Sequence, residues 1–535
     1  MMRSLPIAAL SAVVIFAPAA AEAKKRTEIR PYLEVNQTAL VDLKNRGPVS
    51  TYTTLAAGVD ASTSTPRADA QISARYEYRK GWGRNAQDSH VISGLARGRY
   101  EVVPNLLSFE GGAIGTRVRT DIRGSAPLTG LGNPSNVSNV YSAYVGPSLS
   151  TNVGALNVNG FYRLGYTKVE SETRTFLPGG SPVIGAFDSA VGHSAGLSVG
   201  MKSGVLPFGW TVSGGYSRED ASQLSQRYEG KFARADVVYP VTPTFAVTGG
   251  VGYEKITASQ RDPLLDATGN PVLSPGGGYV TDQSSPRRLS YDTSGFIWDT
   301  GVMWRPSRRT SLEAKVGRRY GSMTYMGDFA WQMNENESVQ VGVYDGITTF
   351  GQQLGNALSR VPTRFVVARD PFNNQFGGCV FGGEGQGAGS CLSPALQSVS
   401  QGVYRSRGIG AMYRKSAGRL SYGLAAGYSQ RRFYAPPAGG FAINGATDSS
   451  VYVQGSVSYR IDERSGLDTS AYVNWFDSGV AGAPRVLGVG GTASYFRNFG
   501  PRLSGTAAVG LYSSSIDGFE SSLVGAAQLG ARYTF

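Results

Sequence analysis

The chain ends in SLVGAAQLGARYTF, residues 522–535, and this stretch decides how the rest reads. Leu523, Gly525, Ala527, Leu529, Ala531, Tyr533 and Phe535 fall on one face, and Ser522, Val524, Ala526, Gln528, Gly530, Arg532 and Thr534 on the other. Alternation with period 2, apolar against largely polar, is what a strand needs between lipid and a wet lumen. The same rhythm runs back through the chain. Leu503, Gly505, Ala507, Val509 and Leu511 alternate with Arg502, Ser504, Thr506 and Gly510. Near the start, Ala70, Ile72, Ala74, Tyr76 and Tyr78 oppose Gln71, Ser73, Arg75, Glu77 and Arg79. Segments of about 10 to 14 residues are long enough to cross a bilayer at the usual tilt. Around 231–236 the two faces mix, which predicts a bulge or a displaced strand end.

The connectors alternate in length. Short ones rich in Pro, Asn, Gly and Asp fall at Ser64–Arg67, Pro104–Asn105, Asn152–Gly154, Val205–Pro207, Val241–Pro243, Pro306–Arg309, Asn334–Asn336, Ser416–Gly418, Asp462–Ser465 and Phe499–Pro501, as tight turns require. Longer loops lie between them, notably 121–138, 171–190, 260–289, 351–400 and 435–448. Short turns on one side and long loops on the other describe an all-β, antiparallel, up-and-down transmembrane barrel. With both termini on the short-turn side the strand number is even, and the spacing predicts about 22, with 20 or 24 as alternatives. The terminal pattern of polar residue, glycine and two aromatics (Gln528, Gly530, Tyr533, Phe535) resembles the signal that the outer-membrane barrel assembly machinery reads on its substrates.

Composition agrees. Glycine takes 72 of 535 positions, roughly twice the usual share of about 7%, and charged residues are only 17%. On strand faces glycine lets neighbouring strands pack and a curved sheet bend. Trp82, Tyr100, Trp304, Tyr428, Tyr459, Trp475 and Tyr495 sit where two interfacial girdles are expected. At the N-terminus, Arg3, the apolar run from Leu5 to Ala17, Pro18 and the small-x-small Ala21-Glu22-Ala23 predict a Sec signal peptide over 1–23, too short to span a membrane itself. The expected mature chain is then one outer-membrane barrel over 24–535, exported from a diderm cell. Strand patterning from about Glu28 leaves no N-terminal plug like that of TonB-dependent receptors.

Little carries covalent chemistry. His90 and His193 each have a serine neighbour, Ser89 and Ser194, yet adjacent strand residues point to opposite faces. The expectation is no enzyme. Two histidines and two cysteines in different segments offer no ligand spacing, so neither a metal nor a cofactor is expected. Cys379 and Cys391 lie within the longest loop, and export makes a local disulfide their natural state. Closing about 13 residues restricts the unfolded loop by roughly 3 kcal/mol. The glycine-rich interval between them lacks the Lys-Ser/Thr of a phosphate loop. A loop this long either folds into the lumen as a constriction or caps the barrel outside.

The formal net charge is +13. Arg75, Arg79, Arg97, Arg99, Arg163, Arg305, Lys315, Arg319, Arg460 and Arg532 all fall on inferred lumen faces. Arginine is costly on the lipid face, so inward placement is first a structural requirement. Two further readings stay open: a positive path for anionic solutes or acidic polymer, and contact with anionic lipopolysaccharide at the rim. Glu77, Glu101, Glu110 and Glu313 are placed to neutralise part of the charge. Export removes nucleic acid from consideration. The expected function is therefore a porin-like or export channel with a basic lumen, the alternative being a non-conducting, surface-anchoring barrel whose loops bind partners.

One segment has a family look. WRPSRRTSLEAKVGRRYGSMTY, Trp304–Tyr325, together with Val343-Tyr344-Asp345, resembles a family of proteobacterial outer-membrane β-barrels. That family is associated with exopolysaccharide gene clusters and exosortase (PEP-CTERM) sorting systems. The resemblance implies outer-membrane location and a link to polysaccharide. Relatives sometimes carry the name of a preprotein translocase accessory subunit, a short single-helix protein with which this chain shares no feature.

Overall fold

The computed structural model describes residues 26–44, 49–82, 88–120, 137–171, 187–274, 278–372, 376–383, 385–400, 402–436, 444–518 and 520–535. The expected signal peptide over 1–23 and most of the loops at 121–138 and 171–190 lie outside them. Among the described residues, 22 strands form one antiparallel sheet whose ends meet. The strand Ser522–Thr534 closes the ring by pairing with Arg26–Asp42, in a register that sets Tyr533 against Leu33 and Gln528 against Thr38. The Gln528 amide donates to the Thr38 hydroxyl at 3.0 Å, and the Phe535 amide to the Pro31 carbonyl at 3.0 Å. The all-β fold and the count of 22 both hold. All ten short connectors join strand ends on the side that carries the termini.

Alternation is obeyed along the wall. Leu529 and Tyr533 face outward and are exposed, while Ala526 and Gln528 face inward and are buried. The girdle residues named above face outward, Trp82 and Tyr100 each more than half exposed. The mixed stretch 231–236 is a correction. The strand Arg227–Pro240 keeps continuous register with both neighbours and has no bulge. The faces only looked mixed: Lys231 points outward near the strand's outer end, and Arg234 and Asp236 point inward as an ion pair. Register shifts occur instead at Glu101/Val103, Ala258/Ser259, Trp304/Ser307 and Gln332/Asn334, close to strand ends.

Many aromatic rings do something the composition did not reveal. Inside the barrel a ring repeatedly lies flat across the glycine directly opposite it on the next strand. The pairs are Tyr32–Gly58, Tyr144–Gly112, Phe161–Gly196 and Phe232–Gly215. Tyr344–Gly408, Tyr452–Gly427, Tyr472–Gly490 and Phe496–Gly466 repeat the arrangement. A Cβ placed on Gly215 or Gly427 would stand 2.4 or 2.6 Å from the partner ring. Glycine thus serves as a seat for a neighbouring side chain, the aromatic rescue of a bare backbone site.

The segment 349–402 folds inside. It begins with helix α1 (Phe350–Ser359), whose N-cap Thr349 hydroxyl accepts from the Gln352 amide at 3.3 Å. Phe350, Leu354 and Leu358 recur at i, i+4 and i+8 and are fully buried. They pack on Leu95, Ile114, Val118, Val140 and Val169, inward-facing apolar residues of the wall. Each such side chain contributes about 1.5–3 kcal/mol of burial. A small three-stranded sheet follows, Phe365–Arg369, Phe376–Gly382 and Gly389–Cys391, with Cys379 bonded to Cys391 across its second and third strands. Of the two placements open to the loop, the luminal one is found.

Gly215→Val should cost about 1–3 kcal/mol by overpacking against Phe232. Adding Phe232→Ala should recover most of that loss, read as the urea midpoint of the heat-modifiable folded band.

Candidate functional lumen

Strand tilt and spacing make a 22-strand ring roughly 40 Å across at the backbone, so the inner wall must be filled, paired or wetted. All ten predicted basic residues lie on the inward register. Seven have carboxylate partners. Arg75 is fully buried between Glu34 at 2.7 Å and Glu77 at 2.5 Å, and Arg79 shares Glu77 at 2.9 Å. Arg532 also reaches Glu34, at 2.9 Å, and stacks on Tyr32 at 3.9 Å. Arg97 and Arg99 face Glu110, Arg319 binds Glu254 and Lys315 binds Glu313. Arg163, Arg305 and Arg460 have no ion-pair partner among the described residues. Arg163 lies over the rings of Phe161 and Tyr144, and the other two stand exposed at the short-turn rim. A uniformly positive lumen is therefore not what the folded chain presents. Paired charges dominate, with a small cationic surplus.

Several members of this network were not named from sequence: Glu34, Glu254, Asp299, Asp345, Asp448, Arg369, Arg405 and Arg431. Inward alternation is legible for Glu34, Glu254, Asp299 and Asp448, whereas Asp345 falls on the face opposite to inward Tyr344. The partners lie on other strands, which sequence alone does not pair. Arg234, for example, reaches Asp299 at 2.9 Å. The most buried case is Arg431 with Asp448, both fully buried, the guanidinium Nε donating to the two carboxylate oxygens at 3.1 Å each. The same guanidinium donates to the Ser398 carbonyl at 3.2 Å and its hydroxyl at 2.5 Å, fastening the returning end of the luminal segment. The outgoing end is fastened by Arg97, which donates to the Ser359 and Val361 carbonyls at 3.1 Å. Between them, Gln71 brackets Phe365, and Tyr512 donates to Asp370 at 2.8 Å. Contacts from so many wall strands make the segment a constriction built into the barrel.

The two sides of the constriction differ. Against strands 89–171 helix α1 packs on hydrocarbon. Against strands 420–534 the small sheet leaves a cavity of about 660 Å³ lined by Ser456, Ser458, Ser470, Thr492, Ser494 and Thr506, with Glu34, Arg369, Asp468 and Arg532 at its edges. The Arg369 Nη1 has no hydrogen-bond partner there. A second cavity of about 380 Å³ lies beside α1, between Arg163, Glu219 and Arg319.

The family-like segments meet in space. Tyr320 and Gly321 take positive φ of 55° and 71° in the hairpin after Thr310–Arg319, the two-residue turn that matches strand twist. The Tyr320 ring lies within 4.9 Å of the Arg319 guanidinium and 5.1 Å of that of Arg405. Arg405 in turn binds Asp345 at 2.7 Å, so the Gly317–Gly321 run and Val343–Asp345 share one cluster.

The histidines stay apart from their serines. His90 pairs in register with outward Tyr78, and His193 faces outward to accept or donate at the Tyr162 hydroxyl, 2.8 Å away. Ser89 and Ser194 consequently point inward. Among the described residues no group of three His, Cys, Asp or Glu could hold a metal.

No family model matches the chain, and no curated protein matches it. Solved structures do. The FrpB iron transporter from Neisseria meningitidis is 11% identical, with 94% of this chain and 82% of that one covered at a TM-score of 0.44. The ferric-catecholate import receptor Fiu from Escherichia coli is 10% identical, covering 94% and 82% at 0.45. The alcaligin outer-membrane receptor FauA from Bordetella pertussis is 11% identical, covering 94% and 76% at 0.37. Similarity this low carries nothing about cargo, and the fold rests on the ring closure itself.

Breaking the Arg431–Asp448 pair from one side leaves a buried charge uncompensated, which typically costs about 3–5 kcal/mol. Arg431→Met should lower the thermal midpoint of the folded barrel strongly. Arg431→Met with Asp448→Leu should lower it much less.

Proposed function

We propose that the protein is an outer-membrane channel that passes small polar solutes, anions preferred, through a lumen narrowed by its own segment 349–402. On this reading the chain is exported by the signal at 1–23 and assembled through Gln528, Gly530, Tyr533 and Phe535. The carrying observation is the asymmetry of the constriction. Where α1 docks, the wall supplies hydrocarbon to Phe350, Leu354 and Leu358, and only a smaller cavity of about 380 Å³ is left beside the helix. Where the small sheet faces strands 420–534, the wall supplies hydroxyls and the space stays open. Small hydroxylated side chains on an inward face serve a water-filled path. The anion preference is modest, since most lumen cations have partners. It rests on Arg369 in the cavity and on Arg163, Arg305 and Arg460.

Export of an acidic exopolysaccharide is the second reading. It is favoured by the family resemblance and by Phe381 and Phe496 among the hydroxyls of the same cavity, surfaces on which sugar faces and hydroxyls both find partners. A polymer would need the segment 349–402 displaced.

Planar-bilayer recording separates these readings from a sealed, surface-anchoring barrel. Small open-channel steps are expected from the intact protein, and much larger ones after residues 351–400 are replaced by a short Gly-Ser linker. Arg369→Ala should reduce the chloride-over-potassium preference. Silence from both proteins sinks the channel, and cation preference in the intact one sinks the anion path.

A further inference from the structure

Outward-facing charge is matched one to one over much of the long-loop rim: Lys80 with Asp88, Lys168 with Asp188, Arg485 with Asp477. One sector breaks this pattern. It spans the outer ends of the strands Gly209–Ala221, Arg227–Pro240 and Phe245–Gln260, together with Arg287 from the following loop. Arg218 and Arg227 share a single carboxylate, Asp220, each at 2.6 Å. Lys231 holds Glu229 at 2.9 Å. Lys255 has no ion-pair partner among the described residues and stands directly opposite Lys231 in the strand register. Like charges facing each other across a strand pair are destabilising unless something else balances them. Arg287 is exposed and has only a 3.4 Å contact to the Ser259 hydroxyl. Desolvation pushes its guanidinium pKa down, and Arg227 and Arg261 push it down further. Five cations thus face three outward carboxylates, Asp220, Glu229 and Asp292, and the last is already engaged by Thr257.

The position of this surplus matters as much as its sign. Immediately toward the membrane on the same outward face are exposed Tyr216, Tyr253 and Phe296, then Val212, Val251 and Val247. The charges therefore begin where the apolar band, typically about 25 Å tall, ends. A ligand that satisfies both halves carries closely spaced phosphates above and acyl chains below.

We propose that a phosphorylated glycolipid of the outer leaflet, of the lipid A type, docks on this sector with its phosphates among Arg218, Arg227, Lys231, Lys255 and Arg287. Its acyl chains lie along the valine and aromatic surface beneath. Arginine forks bind phosphate bidentately, and the lysine pair supplies point charge. The proposal rests on the outer-membrane location inferred above but not on conduction, so silence in the bilayer experiment leaves it standing.

The test uses the full-length barrel in dodecylmaltoside micelles with lipid A bisphosphate as the probe. Lys231→Gln/Lys255→Gln/Arg287→Gln leaves the Asp220 ion pairs intact and should weaken retention at least five-fold, with heat-modifiable migration unchanged. Adding Arg218→Gln and Arg227→Gln should abolish retention, while Arg502→Gln at the opposite rim should have no effect. Dephosphorylated lipid A should bind poorly to the wild type. Undiminished retention by the triple variant overturns the proposal. So does equal binding of phosphatidylglycerol, or displacement of lipid A by an equimolar amount of inorganic phosphate.

Discussion

The constraint on which this structure depends is the space inside a closed 22-strand ring. A ring roughly 40 Å across cannot be filled by side chains of ordinary length, and the chain meets the problem at three ranges. At the shortest range a ring from one strand lies over a glycine of the next. The glycine's missing Cβ lets the aromatic lie flat, as Phe232 does on Gly215, and the flat ring covers backbone that water would otherwise reach. At middle range, long cations and carboxylates reach along and across the wall. At the longest, a segment of about fifty residues enters from one loop and touches strands around the ring. Each device sets up the next. Flat rings such as Tyr32 give Arg532 a surface to stack on, and Arg532 then shares Glu34 with Arg75.

The ion pairs explain why a net charge of +13 does not make the lumen a strong field. Isolated guanidinium groups inside a narrow wall carry a desolvation cost that only a partner offsets. Glu34 and Glu77 hold three arginines between them, and Asp345 holds Arg405 and Arg407. The residual charge is a few groups, Arg163 and Arg369 inside and Arg305 and Arg460 at the short-turn rim.

Much of this was legible in the sequence, and the legible part is that governed by period 2. A strand with one face in lipid cannot slip by one residue without turning every side chain over. Alternation therefore assigned faces to Arg75, Gln528 and Tyr533, and the alternating loop lengths gave the strand number. What was not legible needs either a change of period or a partner in space. Phe350, Leu354 and Leu358 carry a helical stripe inside a glycine-rich loop, and three apolar positions are too few to stand out without their complement. That complement was present as Leu95, Ile114 and Val118, apolar residues on the inward register of neighbouring strands. Only the docked helix shows why they are there. The aromatic-glycine seats were hidden for a similar reason: each ring and its glycine are on different strands, and only the register unites them. Lys231 misled because a strand that continues beyond the bilayer stops obeying the lipid rule on its outward face, while Asp236 obeys the inward register as the partner of Arg234.

The same reasoning bears on whether the constriction is a gate or a fixture. The segment's two ends are held by different physics. Phe350, Leu354 and Leu358 fasten α1 by burial, which salt does not screen and which only a complete undocking removes. The returning end is fastened by Arg431, whose guanidinium serves Asp448 and Ser398 together. Lifting that end would expose a fully buried ion pair as well as break contacts with the loop. The small sheet between them is tied by hydrogen bonds, such as those of Gln71 to Phe365 and Tyr512 to Asp370, each worth about 1 kcal/mol net, and by burial of Phe381 against Met412 and Ala425 and of Phe372 against Ala508 and Tyr512. Local opening follows the weakest ties, and neither the two ends nor the buried middle of the segment offers one; the open space lies beside the sheet, in the hydroxyl-lined cavity. A segment tied at both ends and along its middle is a fixture of the barrel and not a gate.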